Sequence, residues 1–253
     1  MKTFKHSGAF GDLIYGMALV KQQGGGAFYL HLDQMNWIGH HFYGSPPVPF
    51  HQGRMTQEDF DYMESFMLAQ DYITSFEVLD PQVHAITHNL DRFRTAFVGH
   101  PGNYVDIYGT SFGLHPAMID EMRTNPWLTV PTPNPVRPVV IARSTRWLPG
   151  GPGTQWSTWK DEGMESRAVF VGLENEHAAF MADTGWDIPW FSTNTMLEVA
   201  SVIAGADLFI GNQSQSLALA IGLGKPFYCE ARQDLPLARN ECFFPNQPGG
   251  NYF

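Results

Sequence analysis

Asp207-Leu-Phe-Ile-Gly-Asn-Gln-Ser-Gln-Ser-Leu-Ala-Leu-Ala-Ile-Gly-Leu-Gly-Lys-Pro-Phe-Tyr-Cys229 passes through four structural signals in one short stretch. Asp207 to Ile210 is a short apolar run with the look of a buried strand, and Gly211 to Ser216 is polar. Ser214 to Gly222 then reads as a helix rich in Leu and Ala, and Pro226 to Cys229 as a second strand. A strand, a polar turn, a helix and a strand form the unit of a parallel sheet, because parallel strands need a crossover between them.

The same alternation extends upstream. Strands are expected at Pro138 to Ala142, at Ala168 to Gly172 and near Ile188, and helices at Glu174 to Ala182 and Met196 to Ala204. Thr195-Met-Leu-Glu198 is a capping box, and Met196, Val199, Ala200 and Ile203 make one apolar stripe. The N-terminus repeats the theme. A short apolar stretch at Thr3 and Phe4 precedes the small-residue turn Ser7-Gly8-Ala9-Phe10-Gly11. Leu13, Ile14, Met17 and Ala18 then share a helical face, Gly24-Gly25-Gly26 stops the helix, and Ala27 to Leu32 reads as a strand. A helix is expected over Met55 to Gln70, with Phe60, Met63, Phe66 and Met67 inward, and a strand over Ser75 to Leu79. The pattern over residues 80–122 is not readable, the tail Gln247 to Phe253 reads as disordered, and 37–53 reads as a long irregular loop of the kind that shapes substrate sites.

Between the two alternating regions, Asn125 to Pro138 holds five prolines, which remove backbone donors and favour extended chain. The interdomain linker is placed there. The expected architecture is α/β with two Rossmann-like lobes, 1–130 and 131–253. The formal net charge of −10 is shared evenly, 7 basic and 13 acidic side chains in the first lobe against 8 and 12 in the second. Neither half carries the basic footprint of a nucleic-acid binder. No apolar run reaches the roughly 18 residues that a membrane span needs, and no continuous apolar signal core follows the N-terminal lysines. Cys229 and Cys242 are too few for a disulfide framework. A cytoplasmic protein is expected.

Ligands of open parallel sheets bind outside the carboxyl ends of the strands, so the loops after strands hold the candidates. In the first lobe, Gly8 and Gly11 would let a substrate approach the backbone, and Asp12 would project a carboxylate from the helix start; the same aspartate would equally serve as an N-cap. In the second lobe, Asn212, Gln213, Ser214, Gln215 and Ser216 offer amides, hydroxyls and the free N–H groups of a helix N-terminus, which suits a diphosphate. Ordinary capping by Ser214 would look the same.

The Gly-Asp and apolar helix at Gly11 to Val20, with Ala206-Asp-Leu-Phe-Ile-Gly-Asn-Gln-Ser214 and Leu219-Ala-Ile-Gly-Leu-Gly-Lys-Pro226, resemble the ADP-heptose:lipopolysaccharide heptosyltransferase family and its relatives. These are GT-B glycosyltransferases, with two lobes facing a central cleft. The resemblance is remote and covers the first 32 residues and most of 137–230. It implies an inverting transfer of a sugar from a nucleotide-sugar donor to a hydroxyl, with Asp12 as general base. It places the donor on the second lobe, against Arg143 and Arg146 after its first strand and against Glu174 and Glu176. The arginines would neutralise diphosphate oxygens and the glutamates would accept from ribose hydroxyls. Neither a metal nor a further cofactor is implied. The chain departs from the family in having Gln213-Ser214-Gln215 for the usual Asp-Ser-Gly, Ala218 for a nearby histidine, and Thr154 or Gln155 for a lysine near Trp156. Those departures leave the donor's nucleotide and sugar open.

The chain is short for this architecture, and compact forms are similar to phage enzymes that glycosylate hydroxymethylated pyrimidines in DNA. The acceptor is therefore a glycan or a modified DNA base, with Arg92, Arg94 and His100 as candidates for a phosphate backbone. An NAD(P)-dependent oxidoreductase and a catalytically silent nucleotide-sugar-binding protein remain as alternatives, although Gly-x-x-Gly-Asp is not the dinucleotide fingerprint. Asp59-Phe60-Asp61 matches an Asp-x-Asp metal motif but opens a helical pattern and is read as a solvated helix. His40, His41 and His51 are read as loop residues, and Trp156 and Trp159 as core.

Overall fold

The computed structural model describes residues 1–33, 55–96, 103–145, 154–231 and 250–253. They divide into two compact units, Met1–Trp127 and Leu128–Phe253. Each is a parallel sheet with helices.

In the first unit, β1 (Thr3–His6) leads into α1 (Phe10–Gln22), β2 (Gly26–Leu30), α2 (Gln57–Leu68), β3 (Ile73–Val78) and the two-residue β4 (His88–Asn89). A 3-10 turn at Leu90–Arg92, α3 (Phe93–Ala96), α4 (Tyr104–Ser111) and α5 (Pro116–Thr124) follow. The sheet order is β3-β2-β1-β4, every pair parallel. β2 is buried along its whole length, and so is α1 from Leu13 to Val20. The sequence shows one apolar face on that helix, yet Tyr15, Gly16, Leu19 and Val20 are buried as well, because α4 closes over its other side. Gly16 makes room for this: a Cβ there would lie 3.1 Å from the Tyr108 ring.

In the second unit, β5 (Val139–Ala142) precedes α6 (Thr154–Asp161), β6 (Ala168–Val171), α7 (Glu174–Thr184), β7 (Trp190–Phe191), α8 (Met196–Gly205), β8 (Leu208–Asn212), α9 (Gln215–Gly222), β9 (Phe227–Glu230) and β10 (Gly250–Tyr252). The order is β10-β9-β8-β5-β6-β7, again all parallel. Trp156, Trp159 and Trp186 pack with Phe170, Phe180 and Ile141 on one face of this sheet, so both tryptophans after β5 are core residues.

Two expectations need correction. The last four residues are not disordered: Gly250–Tyr252 pairs with β9, and the Phe253 ring sits 4.9 Å from Trp159 and 5.5 Å from Trp156, while 247–249 lie outside the described residues. The glycines and asparagine of the tail hid that partner from a local reading. The strand placed near Ile188 lies two residues later, at Trp190–Phe191, with Ile188 packed in the core instead. The proline-rich stretch is extended as expected, but it is docked. Leu128 N–H donates to the Gly222 carbonyl and Asn134 N–H to that of Ser201.

β8 lies against β5 at Gly211, which is paired with Ala142. A Cβ at Gly211 would stand 2.2 Å from the Ala142 carbonyl oxygen. Gly211→Ala is therefore expected to destabilise the second unit by roughly 1–3 kcal/mol through forced separation of the strands. A lowered urea midpoint with an unchanged m-value would confirm it.

Candidate functional site

In each unit the first strand lies inside the sheet, with later strands added on both sides of it. The strand order reverses between β1 and β4 in the first unit and between β5 and β8 in the second. The carboxyl ends beside these switch points are where ligands of open parallel sheets bind.

The first switch point is flanked by Ser7 to Asp12 after β1 and by Leu90 to Arg94 after β4. Ala9, not Asp12, is the N-cap of α1, and it makes no side-chain cap. Asp12 sits in the first turn, where the positive end of the helix favours a carboxylate. Arg94 joins the two loops: its guanidinium donates to Asp12 Oδ2 at 3.2 Å, to Asp91 Oδ1 at 2.6 Å and to the Gly8 carbonyl. Asp91 also accepts from Ser7 N–H at 3.2 Å and Ser7 Oγ at 2.7 Å, and its Oδ2 is 3.2 Å from Lys5 Nζ. Burial opposes ionisation of Asp91, but the neighbouring His6 ring, Arg94, the Ser7 hydrogen bond and Lys5 outweigh it and take its carboxyl down to about 2. The Asp12 carboxylate stays a quarter exposed. Gly11 beside it has open space where a side chain would stand.

Beneath this pair runs a buried polar chain. Gly8 N–H donates to His6 Nδ1 at 2.9 Å, and His6 Nε2 lies 2.8 Å from the Tyr108 hydroxyl, which donates to the Asp12 carbonyl at 2.8 Å. An accepting Nδ1 puts the His6 proton on Nε2 in a neutral ring. Burial lowers the His6 pKa to about 3, against the pull of Asp91 3.8 Å away. His6 is thus a neutral link, not half of an ion pair.

At the second switch point, register sets Ala142 beside Gly211 and Asn212 beside Glu230, so Arg143, Asn212 and Glu230 follow one another across β5, β8 and β9. Asn212 Oδ1 accepts from Ser144 N–H at 2.9 Å, and its Nδ2 donates to the Ser144 carbonyl at 2.6 Å, which continues the ladder through a side chain. Arg143 is buried and donates to both Glu230 oxygens, at 2.5 and 3.2 Å, and to Asp183 at 2.8 Å. Trp156 Nε1 donates to Glu230 as well, at 3.0 Å. Burial works against the Arg143 charge, but these two carboxylates hold its pKa above the ordinary value.

Next along β8 the pattern inverts. Ser214 is the N-cap of α9 by backbone conformation, yet its hydroxyl caps nothing. Gln213 is 3% exposed. Gln213 Nε2, Gln213 Oε1 and Ser214 Oγ are all buried with no hydrogen-bond partner. Orphaned buried polar atoms are rare because each loses its water without compensation. Three lie together at the positive end of one helix, which makes this the candidate ligand site of the second unit.

Solved structures with this arrangement of sheets are known. The glycosyl transferase family 9 protein from Veillonella parvula superposes with a TM-score of 0.62 at 10% identity, over 99% of this chain and 84% of that one. The chain shares a glycosyltransferase fold. The Escherichia coli ADP-heptose LPS heptosyltransferase II superposes with a TM-score of 0.56 at 11% identity, over 100% and 90% of the two chains. For the E. coli heptosyltransferase WaaC, solved with ADP, the values are 0.51, 13%, 100% and 93%. No family model and no curated protein matches the sequence.

The structure sorts the residues expected from sequence. Gln213 and Ser214 keep side-chain polar atoms that the protein does not pair, Ser216 is buried in the first turn of α9, and Gln215 beside it is half-buried. Arg143 and Asn212 are committed to the protein. Glu176 accepts from Leu173 N–H at 3.1 Å and so closes the start of α7, while Glu174 is exposed. Arg146, His40, His41, His51, His100 and Cys242 lie outside the described residues. Arg94, expected beside a phosphate backbone, is spent on two carboxylates, and Arg92 lies over the Phe112 ring. Asp59 forms a capping box with Thr56, so Asp-x-Asp is a helix start. Among the described residues no group of three or more His, Cys, Asp or Glu side chains could hold a metal ion, and no helix is long and apolar enough to cross a membrane. Sequence reading missed Lys5, His6, Asp91, Tyr108, Asp183 and Glu230. The only local hint was their polarity beside apolar strands.

His6 supplies a pH prediction. Its folded value of about 3 lies below the roughly 6.5 of an unfolded histidine, so between those limits the unfolded chain takes up the proton and the folded one does not. Its contribution is complete above pH 6.5 and is lost progressively down to pH 3. Unfolding free energy should fall by about 1.4 kcal/mol per pH unit over that window for this one proton. Urea titrations at pH 7.5, 6 and 5 would show it, and His6→Gln should flatten the slope. Asp91, also depressed in the folded state, adds loss only below about pH 4.

Proposed function

We propose that the protein is a glycosyltransferase moving a sugar from a nucleotide-sugar donor to a hydroxyl acceptor, with the donor on the second unit and the acceptor on the first. The observation that carries this reading is the Ser214 hydroxyl, buried and unpartnered at the N-terminus of α9 beside a switch point. The first N–H groups of a helix lack intrahelical partners, and with the helix dipole they hold an anion well. A diphosphate there would receive those N–H groups and the Ser214 hydroxyl. The solved heptosyltransferase that carries ADP supports a nucleotide at such a fold.

The chemistry then needs stabilisation of the departing diphosphate and removal of the acceptor proton. Arg143 adds little charge to the first, because Glu230 and Asp183 already neutralise it. The α9 terminus carries that role, with Arg146 as the remaining arginine, and the transfer runs without a metal. For the second, Asp12 is the base. It projects from a helix start beside open space at Gly11, and Arg94 fixes its orientation. The transfer is read as inverting, with Asp12 taking the acceptor proton as the bond from the sugar to the diphosphate breaks.

A nucleotide-release screen over UDP-, GDP- and ADP-sugars, with glycan and hydroxymethylated-DNA acceptors, tests the class and reads the acceptor. Activity should survive EDTA, and NMR of the product should show inverted anomeric configuration. Asp12→Asn should lower transfer by roughly 10²- to 10⁴-fold with nucleotide-sugar affinity and melting temperature nearly unchanged. Ser214→Ala should weaken donor binding by roughly 1.5–3 kcal/mol, the size of a hydrogen bond to a charged group. Normal transfer by Asp12→Asn, or EDTA-abolished activity restored by Mg²⁺, would overturn the corresponding role.

A further inference from the structure

Two carboxamides stand side by side at the end of β8, and they behave in opposite ways. Asn212 spends both its atoms on Ser144. Gln213 spends neither, although it is 3% exposed and both its Nε2 and its Oε1 are buried. We propose that Gln213 is the specificity residue of the donor site and pairs through both atoms with a vicinal diol of the bound nucleotide sugar. This rests on the donor reading given above.

The unpaired atoms define the chemistry of their partner. An anion would satisfy Nε2 and leave Oε1 facing another acceptor. A cation would do the reverse. Only a group that donates and accepts at neighbouring atoms satisfies both, and two adjacent hydroxyls do so because each can take either role. Ser214 and the α9 N–H groups, one residue further on, take the diphosphate oxygens, so the diol lies next to that diphosphate. Two diols of a nucleotide sugar meet this condition, that of the ribose and that of the transferred sugar. A neutral carboxamide also adds no like-charge repulsion beside the phosphates, as a carboxylate would.

Calorimetry on the full chain with Gln213→Leu tests this, and Gln213→Met serves as a second apolar replacement of similar length. Both variants should melt at or above the wild-type temperature, since an unpaired buried amide is exchanged for an apolar group. The probes are the nucleotide sugar that binds wild type best among UDP-, GDP- and ADP-sugars, its nucleoside diphosphate, and the 2′,3′-dideoxynucleoside diphosphate. Loss of two neutral hydrogen bonds should weaken a diol ligand by about 5- to 50-fold. A loss confined to the nucleotide sugar assigns the transferred sugar. A loss shared with the diphosphate but absent for its dideoxy form assigns the ribose. Equal loss for all three ligands, or none for any, overturns the inference and leaves the donor site standing. A wild-type protein that binds none of the three overturns the donor site and the inference with it.

Discussion

Parallel strands cannot be joined by a hairpin, and that constraint organises everything else in this molecule. Each strand needs a crossover before the next, so every loop leaving a strand falls on the same edge of its sheet. When the first strand is then flanked on both sides, two of those loops diverge and open a crevice between them. The order β3-β2-β1-β4 does this in the first unit and β10-β9-β8-β5-β6-β7 in the second. The candidate residues Asp12 and Ser214 follow strands that border those crevices, a placement that comes from topology and owes nothing to any single motif.

The two crevices are finished differently. In the first, charges are balanced among themselves: Arg94 and Lys5 face Asp12 and Asp91, with neutral His6 and Tyr108 beneath. Removing any of the four charged members would leave a charge uncompensated, so the network fixes where the Asp12 carboxylate stands. The second crevice holds a saturated cluster and an unsatisfied one. Arg143, Glu230, Asp183 and Trp156 tie the end of β5, β9, α7 and α6 together, with the Arg143 charge balanced inside the protein. Gln213 and Ser214 are left with everything to offer. Saturation holds a scaffold in place, and the absence of partners singles out the candidate ligand site.

The same contrast explains why part of the site was legible and part was not. Asp12 and Ser214 were singled out because their signals are local: a small-residue turn before an apolar helix, and a polar break between a strand and a helix. Arg143 was singled out by the same logic without sight of Glu230 and Asp183, which lie 87 and 40 residues away. Arg94 looked like a cation for phosphate only because Asp12, 82 residues earlier, was out of view.

By itself the sequence determined two parallel α/β units, the strands β1 and β8 and the helix starts of α1 and α9 that follow them, because period, capping and turn chemistry act within a few residues; β4 and the turn after it were not legible. It did not determine that α1 is enclosed on every side, that the tail forms β10, or that Arg143 is neutralised. Those follow from which distant strands pair and in what register. Only the tertiary structure decided which polar side chains found partners and which, like Gln213, were buried without one. Satisfaction of a polar atom is set by its neighbours in space, and those come from parts of the chain that no local pattern connects.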